Sequence, residues 1–352
     1  MKIRRHSLLR ALPALAALHT PFATGFAQGS LTPPGPPAPT MLTLAQMEPR
    51  TPVSSLPITI TQPGSYFLTT NLTGVSGASG ITIATNDVTL DLRGFTLLGP
   101  PAGGGTNGIS VPSAQTNVSV FNGALASWTG AGVGAAGVFS SRFERLRASN
   151  CGQGLVVGNN CSVQDCTAGG NLGNGIAAGY GSLVRDCAAG GNFGNGFYVG
   201  NNGVVISCSA TENNLDGVAV ATTCTVKDCT AAGNGGAGIS TQGGCTVKDC
   251  TAGNNDDDGI AAYGDNNLIV GNNCSGNGFG MVFGGAQNRV DDNLAGFNSF
   301  NGIFLVQTNV GNLIIRNSAP GNGSGGYYNY AGNNDYAPVQ TPASATSPWA
   351  NF

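Results

Sequence analysis

The chain has 352 residues, of which only 9% are charged and 57 are glycine, and its formal net charge is −3. Low charge and abundant glycine could indicate disorder, but Val, Ile and Phe recur at regular intervals, which disordered chains do not show. Lys2, Arg4, Arg5 and Arg10 precede residue 28, so the rest of the chain has ten basic against 17 acidic residues. Such an acidic chain is a poor partner for nucleic acid or an anionic membrane.

Residues 1–27 are predicted to be an export signal. A basic start precedes a Leu/Ala run, and Gly25-Phe26-Ala27 ends in small residues suited to cleavage. The apolar run is short and interrupted by proline, so no membrane span is predicted. Arg4-Arg5 leaves both twin-arginine and ordinary secretory export open. We therefore expect an exported protein, in the periplasm, outside the cell or at its surface. Both histidines, His6 and His19, lie in this segment.

Residues 28–56 are predicted to be a linker followed by an N-terminal cap. Five prolines between Ser30 and Thr40 favour a stiff, extended chain. Met41 to Met47 has the pattern of a short amphipathic segment, which could cover the open end of a stack of strands.

From Pro57 onward, short alternating segments such as Ile58-Thr-Ile60 and Ile81-Thr-Ile83 predict β-strands. Farther along, the pattern becomes periodic with a spacing of 21 residues, held by Gly154, Gly175, Gly196, Gly217, Gly238, Gly259 and Gly280. A spacing this regular indicates identical structural units stacked on one another.

One unit can be read from Gly175 to Asn195, where three short strands alternate with three corners. Ile176 and Ala178 are expected to point inward on the first strand, and Asp186 is expected at a bend. The sequence therefore predicts an all-β solenoid of about a dozen coils with capped ends. Residues 57–326 are predicted to form the solenoid and residues 327–352 a C-terminal cap.

The coil resembles a known superfamily. Gly-Ile-x-Ala/Val, then Val-x-Asp-Cys-Thr-Ala and a corner Asn, is similar to the right-handed parallel β-helix repeat of pectate-lyase-like proteins. Asp91-Leu-Arg-Gly-Phe-Thr-Leu97 and Ser347-Pro-Trp-Ala-Asn-Phe352 also resemble segments of secreted bacterial β-helix proteins. The resemblance implies a single right-handed parallel β-helix. It does not imply one activity, because the superfamily includes lyases, hydrolases, epimerases, tailspikes and non-catalytic proteins.

Most of the ten cysteines fall into two columns. The longer column runs from Cys166 to Cys250 and is expected to continue as Asn273, Asn293 and Asn317, so the position favours a small inward side chain. Cys161, Cys224 and Cys245 form a second column. We expect free thiols, with a Cys224–Cys245 disulfide left open. No histidine accompanies the thiols, which disfavours a metal site.

An asparagine column is expected at one corner of the coils, where its side chains would bond the backbone of neighbouring coils. Its predicted members are Asn150, Asn171, Asn192, Asn213, Asn234 and Asn255.

An aspartate column is expected at the bend, formed by Asp165, Asp186, Asp228, Asp249 and Asp292. One interpretation is an exposed ladder of charges with local pairing. The other is a site for calcium or an acidic glycan. In pectate-lyase-like enzymes, Asp ligands and a basic residue on the helix surface carry β-elimination. The resemblance maps this role onto Asp228, Asp249, Lys227 and Lys248 as candidate catalytic residues.

The densest acidic cluster is Asp256-Asp257-Asp258 with Asp265. Hard oxygen ligands suit calcium, so these four are the candidate metal ligands and calcium the only candidate cofactor. Paired carboxylates could also serve glycoside hydrolysis. The third alternative is a solvated corner.

Tyr198 is expected to face outward between Phe197 and Val199, and Tyr263 and Phe304 are expected on the same face. Exposed aromatic rings on a flat sheet can stack on sugar rings, so these three are the candidate glycan contacts.

Two classes of function remain. The first is a non-catalytic exported β-helix that binds glycan or is structural at the cell surface. The second is a polysaccharide lyase or glycoside hydrolase acting on an acidic polysaccharide, which would need a cleft formed by the less regular residues 99–143. An adhesin or tailspike role is a further alternative. The sequence leaves the ligand and the oligomeric state open.

Overall fold

A computed structural model describes residues 50–306, 310–323, 328–329, 333–341 and 343–352. These residues form strands, turns and bends, and this part of the chain contains no helix. The predicted export signal, the Pro-rich linker and the amphipathic segment Met41–Met47 lie outside the described residues.

Sheet B has 13 parallel strands, one for each coil. It comprises β2 (Ile58–Ile60), β5 (Ile81–Ile83), β8 (Ile109–Ser110), β10 (Ala131–Phe139), β12 (Gln153–Asn159), β15 (Ile176–Ala178), β18 (Phe197–Val199), β21 (Val218–Val220), β24 (Ile239–Thr241), β27 (Asp258–Ala262), β30 (Phe279–Phe283), β32 (Ile303–Leu305) and β34 (Tyr328–Asn329).

Sheet A has 22 strands in two parallel rows. The first row comprises β1 (Thr51–Val53), β3 (Gly64–Leu68), β6 (Val88–Asp91), β13 (Ser162–Gln164), β16 (Leu183–Arg185), β19 (Val204–Ile206), β22 (Thr225–Lys227), β25 (Thr246–Lys248), β28 (Leu268–Val270), β31 (Arg289–Asp291), β33 (Leu313–Ile315) and β35 (Asp335–Tyr336). The second row comprises β4 (Leu72–Thr73), β7 (Thr96–Leu98), β14 (Thr167–Gly169), β17 (Ala188–Gly190), β20 (Ser209–Thr211), β23 (Thr230–Ala232), β26 (Thr251–Gly253) and β29 (Asn273–Ser275). The long strands β9 (Ser119–Ala126) and β11 (Arg142–Ser149) pass through both rows.

The coils stack in register, so equivalent residues form continuous columns. Ile176 pairs with Phe197, Phe197 with Val218, and Val218 with Ile239. All four side chains are fully buried, and Ala178 is also in the core, as the sequence predicts. Parallel strands lie about 4.8 Å apart, so each coil adds that length to the stack. The predicted all-β solenoid of about a dozen coils is confirmed.

A buried asparagine ladder holds one corner of the stack. Each side chain donates Nδ2–H to the Oδ1 of the next Asn, as Asn192 does to Asn213 at 2.9 Å, and to a backbone carbonyl below. That same Oδ1 accepts the backbone N–H of Asn192 at 3.1 Å. The ladder comprises Asn171, Asn192, Asn213, Asn234, Asn255, Asn277, Asn298 and Asn322. It satisfies backbone groups that a buried corner would otherwise leave unpaired.

The predicted first member of this ladder, Asn150, is exposed, and Cys151 takes its place, donating its N–H to Asn171 Oδ1 at 3.0 Å. The coil here is 20 residues long, so extrapolating the 21-residue interval moves the position by one. The cysteine column contains the same kind of error. Cys250 is followed by Asn272, which is buried and accepts its N–H at 2.9 Å, whereas Asn273 is exposed.

All ten cysteines are buried free thiols, including Cys224 and Cys245. The expected thiol columns are therefore confirmed, and no disulfide joins this pair. Cys187 Sγ accepts the backbone N–H of Cys166 at 3.4 Å, the role that Asn272 plays for Cys250. Asn can follow Cys in this column because both side chains place a small acceptor over the N–H of the preceding coil. Burial raises the thiol pKa of Cys274, which keeps it protonated.

The C-terminal end extends the solenoid beyond residue 326. β34 pairs with β32 and β35 pairs with β33, so both sheets gain a strand in the predicted cap region. The final residues then fold onto the last coil. Asn351 Oδ1 accepts the N–H of Asn317 at 2.8 Å, and the backbone of Phe352 bonds Asn317 and Ala319.

Candidate functional site: the outer face of sheet B

The bend aspartates occupy a left-handed backbone conformation. Asp165, Asp186, Asp228, Asp249 and Asp292 have φ angles between 51° and 57°. Asp, Asn and Gly tolerate this conformation best, and Gly271 occupies the same column with a φ of 69°. The column therefore has a structural reason that requires no ligand.

The candidate catalytic residues of the bend form exposed ion pairs within single coils. Lys227 Nζ lies 3.0 Å from Asp228 Oδ2, and Lys248 Nζ lies 3.6 Å from Asp249 Oδ2. All four side chains are more than two-fifths exposed. Lys227 and Lys248 are the last residues of their sheet A strands, and Asp228 and Asp249 follow them at the bend.

The structure does not bring the four candidate calcium ligands together. Asp256 and Asp257 are exposed before β27, whereas Asp258 is buried at its first position. Asp265 lies in the turn beyond the other end of β27, where its Oδ1 accepts the N–H of Ala286 at 2.7 Å. Among the described residues, no group of three or more His, Cys, Asp or Glu side chains is placed to hold a metal ion.

The aromatic candidates lie on the outer face of sheet B. Tyr198 is 48% exposed between the buried Phe197 and Val199. Phe304 occupies the same outward column five coils farther along, after Ala219, Ser240, Ala261 and Val282. Tyr263 lies just past β27, two residues after Ala261, and is 50% exposed in a neighbouring column. The predicted shared face is therefore present.

Two further phenylalanines extend this aromatic surface. Phe279 lies beside both Phe300 and Phe304, with ring centroids 4.9 and 5.2 Å apart. Small side chains, Ala219, Ser240 and Ala261, occupy the column between Tyr198 and this cluster. The sheet surface between Tyr198 and the phenylalanine cluster therefore carries only small side chains, with aromatic rings on either side.

Asp258 is the unusual residue of this face. Asp258 is only 5% exposed, and none of the described residues donates a hydrogen bond to its carboxylate. Burial, followed by the charges of Asp257 and Asp216, raises its pKa to about 7. Its oxygens still reach the surface, since the buried side-chain atoms without a partner among the described residues are Thr241 Oγ1 and Asn288 Nδ2. The carboxylate can therefore accept hydrogen bonds from water or from a ligand.

Asp216 and Ser240 lie on the same face as Asp258, one or two coils before it. Asp216 is in the same outward column as Asp258, two coils earlier. Its Oδ2 accepts a hydrogen bond from the Ser240 hydroxyl at 2.6 Å. Its Oδ1 accepts the N–H of Ala237 at 2.9 Å. Burial, then Asp258 and Asp216, raises the pKa of the Tyr263 hydroxyl. We refer to Asp216, Ser240, Asp258 and Tyr263 as the acidic site.

A cleft of about 580 Å³ lies toward the N-terminal end of the same face. It is lined by residues of β8, β10 and β12 and the segments around them, including Asn107, Pro112, Thr129 and Gln153. This is the less regular region that the sequence indicates as the place for a cleft. The cleft and the acidic site both open on the outer face of sheet B.

The sequence analysis missed Asp216 and Ser240 and grouped Asp258 with the wrong neighbours. The signal was available in the 21-residue interval, because Asp216 and Asp258 are 42 residues apart and so fall in one column. Grouping acids by sequence proximity selected Asp256 and Asp257, whereas grouping them by coil position selects Asp216.

The comparisons with known proteins support this fold. The family model described as "Right handed beta helix region" matches residues 216–340. No curated protein matches the chain by sequence. Residues 216–340 therefore match the right-handed β-helix family model, and the described residues have the parallel β-solenoid fold that the sequence resemblance implies.

Three solved structures are similar over most of the chain. The mannuronan C-5 epimerase AlgE4 A-module of Azotobacter vinelandii has a TM-score of 0.58 at 12% identity, covering 82% of this chain and 90% of that module. The AlgE6 A-module of the same organism has a TM-score of 0.51 at 15% identity, covering 83% and 91%. The Dettilon tailspike protein has a TM-score of 0.53 at 13% identity, covering 82% and 61%. At these identities the likeness establishes the fold alone.

In the part of the chain that the structure describes, no helix has the length and apolar character needed to cross a membrane.

Proposed function

We propose that this chain is an exported β-helix protein that binds polysaccharide along the outer face of sheet B. The observation that carries the proposal is Asp258, a mostly buried carboxyl group whose oxygens reach the surface and accept no hydrogen bond from the described residues, on the face that carries the exposed rings of Tyr198 and Tyr263. Sugar hydroxyls would supply the missing donors, and the rings of Tyr198 and Tyr263 would stack on sugar faces. Export is part of the proposal and rests on the pattern of residues 1–27.

Polysaccharide binding is consistent with the structural neighbours, which are named as polysaccharide epimerase modules and a tailspike. A long, flat face of parallel strands suits an extended polymer better than a small ligand, which would favour an enclosed pocket. The outer face of sheet B also lacks long loops over the acidic site, since the coils there stay close to 21 residues.

The test is retention of the purified full chain in native gels that contain neutral or acidic polysaccharides. Tyr198→Ala should reduce retention at least about fivefold, because a stacked aromatic ring contributes about 1 kcal/mol or more. Tyr336→Ala is the matched control, since Tyr336 is 49% exposed on sheet A. Equal retention of wild type and Tyr198→Ala on every retaining polymer would argue against this face as the binding surface.

An enzymatic alternative is favoured by the same residue. A carboxyl group with a pKa of about 7 is present in both protonated and ionised forms at neutral pH, so it can give or take a proton in an acid-base step. Under this alternative, the protein would form reducing ends, unsaturated ends or C-5 epimers from the polymer it retains. Asp258→Asn should then lower product formation at least about 100-fold. Product loss in Asp249→Ala or Lys248→Ala instead would place the reaction on the bend column of sheet A.

A further inference from the structure

The charged residues of the coils are separated by sheet. None of the 13 strands of sheet B contains Lys or Arg. The ten basic residues among the described ones all lie in sheet A strands or within two residues of them: Arg50, Arg93, Arg142, Arg145, Arg147, Arg185, Lys227, Lys248, Arg289 and Arg316. The outer face of sheet B therefore has no cation in its strands to attract a polyanion.

The charged groups around the acidic site all have the same sign. Asp216 lies two coils before Asp258 in its own column, and Asp257 immediately precedes it. The other neighbours are uncharged at neutral pH: Ser240 on β24, Phe279 on β30 and the Tyr263 hydroxyl. An anionic ligand here would face like charges at short range, which costs binding free energy unless a cation intervenes.

The hydrogen-bonding state of these acids points the same way. Asp216 already accepts from Ser240 and from the Ala237 N–H, whereas Asp258 accepts from no described residue. Asp258 can therefore accept from sugar hydroxyls. A neutral hexose offers one donor more than the matching uronate, because the uronate has an accepting carboxylate in place of the C6 hydroxyl group. A uronate unit would add acceptors and negative charge where the site already has both.

We propose that the outer face of sheet B selects uncharged polysaccharides and excludes polyuronates, because its charged side chains are all acids and Asp258 lacks hydrogen-bond donors. The inference rests on the proposed function and specifies its substrate class. It differs from the sequence-based alternative of an acidic polysaccharide.

The experiment compares polymers that differ in charge but little else. Mannan and polymannuronate differ at C6, and hydroxyethylcellulose and carboxymethylcellulose differ in their substituents. At low ionic strength the full chain should be retained more strongly by the neutral member of the retaining pair, by about tenfold or more. Salt should narrow this difference, because it screens the repulsion between the polyanion and the acids.

Asp257→Lys should raise retention by the anionic polymer at least about fivefold, since it places a cation beside Asp258 without removing a proposed contact. Asp335→Lys is the matched control, with the same change in net charge at an exposed position of sheet A, and should leave the preference unchanged.

Stronger retention of wild type by the anionic polymers, reduced by Tyr198→Ala, would overturn the selectivity while leaving the proposed function intact. An equal effect of the two lysine variants would overturn it as well, because net charge would then explain the result. Retention by none of the four polymers would count against both proposals.

Discussion

Two buried aspartates on opposite sheets show how the partners of a carboxyl group determine its ionisation. Asp291 on sheet A is 2% exposed, and Asp258 on sheet B is 5% exposed. Arg316 donates to both carboxylate oxygens of Asp291 at 2.7 and 2.6 Å, and Arg289 donates at 2.8 Å. Asp258 has no such donor among the described residues. Burial is therefore common to both, and only the partners differ.

The pKa values follow the same division. Burial disfavours the charged form of Asp291, but the hydrogen bonds from Arg316 and Arg289 hold its pKa below the usual range. Burial raises the pKa of Asp258 to about 7, with no cation to oppose it. Asp291 is a fixed anion that ties adjacent coils together, whereas Asp258 can gain or lose its proton near neutral pH.

The largest expected effect comes from removing the paired carboxylate. Asp291→Ala should lower the free energy of unfolding at pH 7 by about 2–3 kcal/mol, because several charge-assisted hydrogen bonds between coils are lost. Urea denaturation measures the change, with the exposed Asp335→Ala as control. A loss equal to that of the control would mean that the pairing of Asp291 does not stabilise the stack.

Removing the unpaired acid, Asp258, should raise the free energy of unfolding, whereas removing Asp291 should lower it. Wild-type stability should fall as pH rises from about 4, where an unfolded Asp ionises, to about 7, where Asp258 ionises in the folded protein. Asp258→Asn removes this penalty, so it should stabilise the protein at pH 8 by on the order of 2 kcal/mol and have little effect below pH 4. Asp335→Asn, at an exposed position of sheet A, is the control. Urea midpoints that shift equally at both pH values would contradict this linkage.

The smallest expected effect concerns the bend column. Lys248→Ala removes an exposed ion pair with Asp249, so the unfolding free energy should change by less than about 0.5 kcal/mol. Retention by polysaccharides should also stay the same, because this side chain lies on sheet A. A marked loss of retention would move the binding surface to the bend.

The repeat made the fold predictable, because a constant interval reports stacked coils without any knowledge of side-chain contacts. Extrapolating this constant interval also produced the errors in the predicted asparagine and cysteine columns. An additional residue in the turn of residues 263–266 lengthens the coil between Cys250 and Asn272, and a shorter coil precedes Asn171, so fixed intervals selected Asn273 and Asn150. The insertion also moves the inward apolar position, because Val247 pairs with Ile269, 22 residues farther on. Counting three residues from Ile269, as from Val247 to Cys250, selects Asn272.

The acidic site was less accessible to prediction for a related reason. The burial of Asp258 depends on how its corner folds. The sequence alone does not distinguish this residue from its neighbours Asp256 and Asp257, which are exposed. The bend aspartates attracted a functional interpretation because their charge is visible in sequence, whereas their positive φ angles are not. Column position, which the repeat does provide, is the better guide to which acids meet.

The hydrogen bonds of Asn351 and Phe352 have a consequence for the column beneath them. Strand edges in a solenoid leave backbone groups unpaired unless another segment covers them. Here Asn351 occupies the next place in an internal column, bonding Asn317, Ile314 and Ala337, and Phe352 pairs with the backbone of Asn317 and Ala319. The column of side-chain amides therefore continues through a residue 34 positions after Asn317, so a segment outside the regular repeat satisfies the backbone groups at this corner.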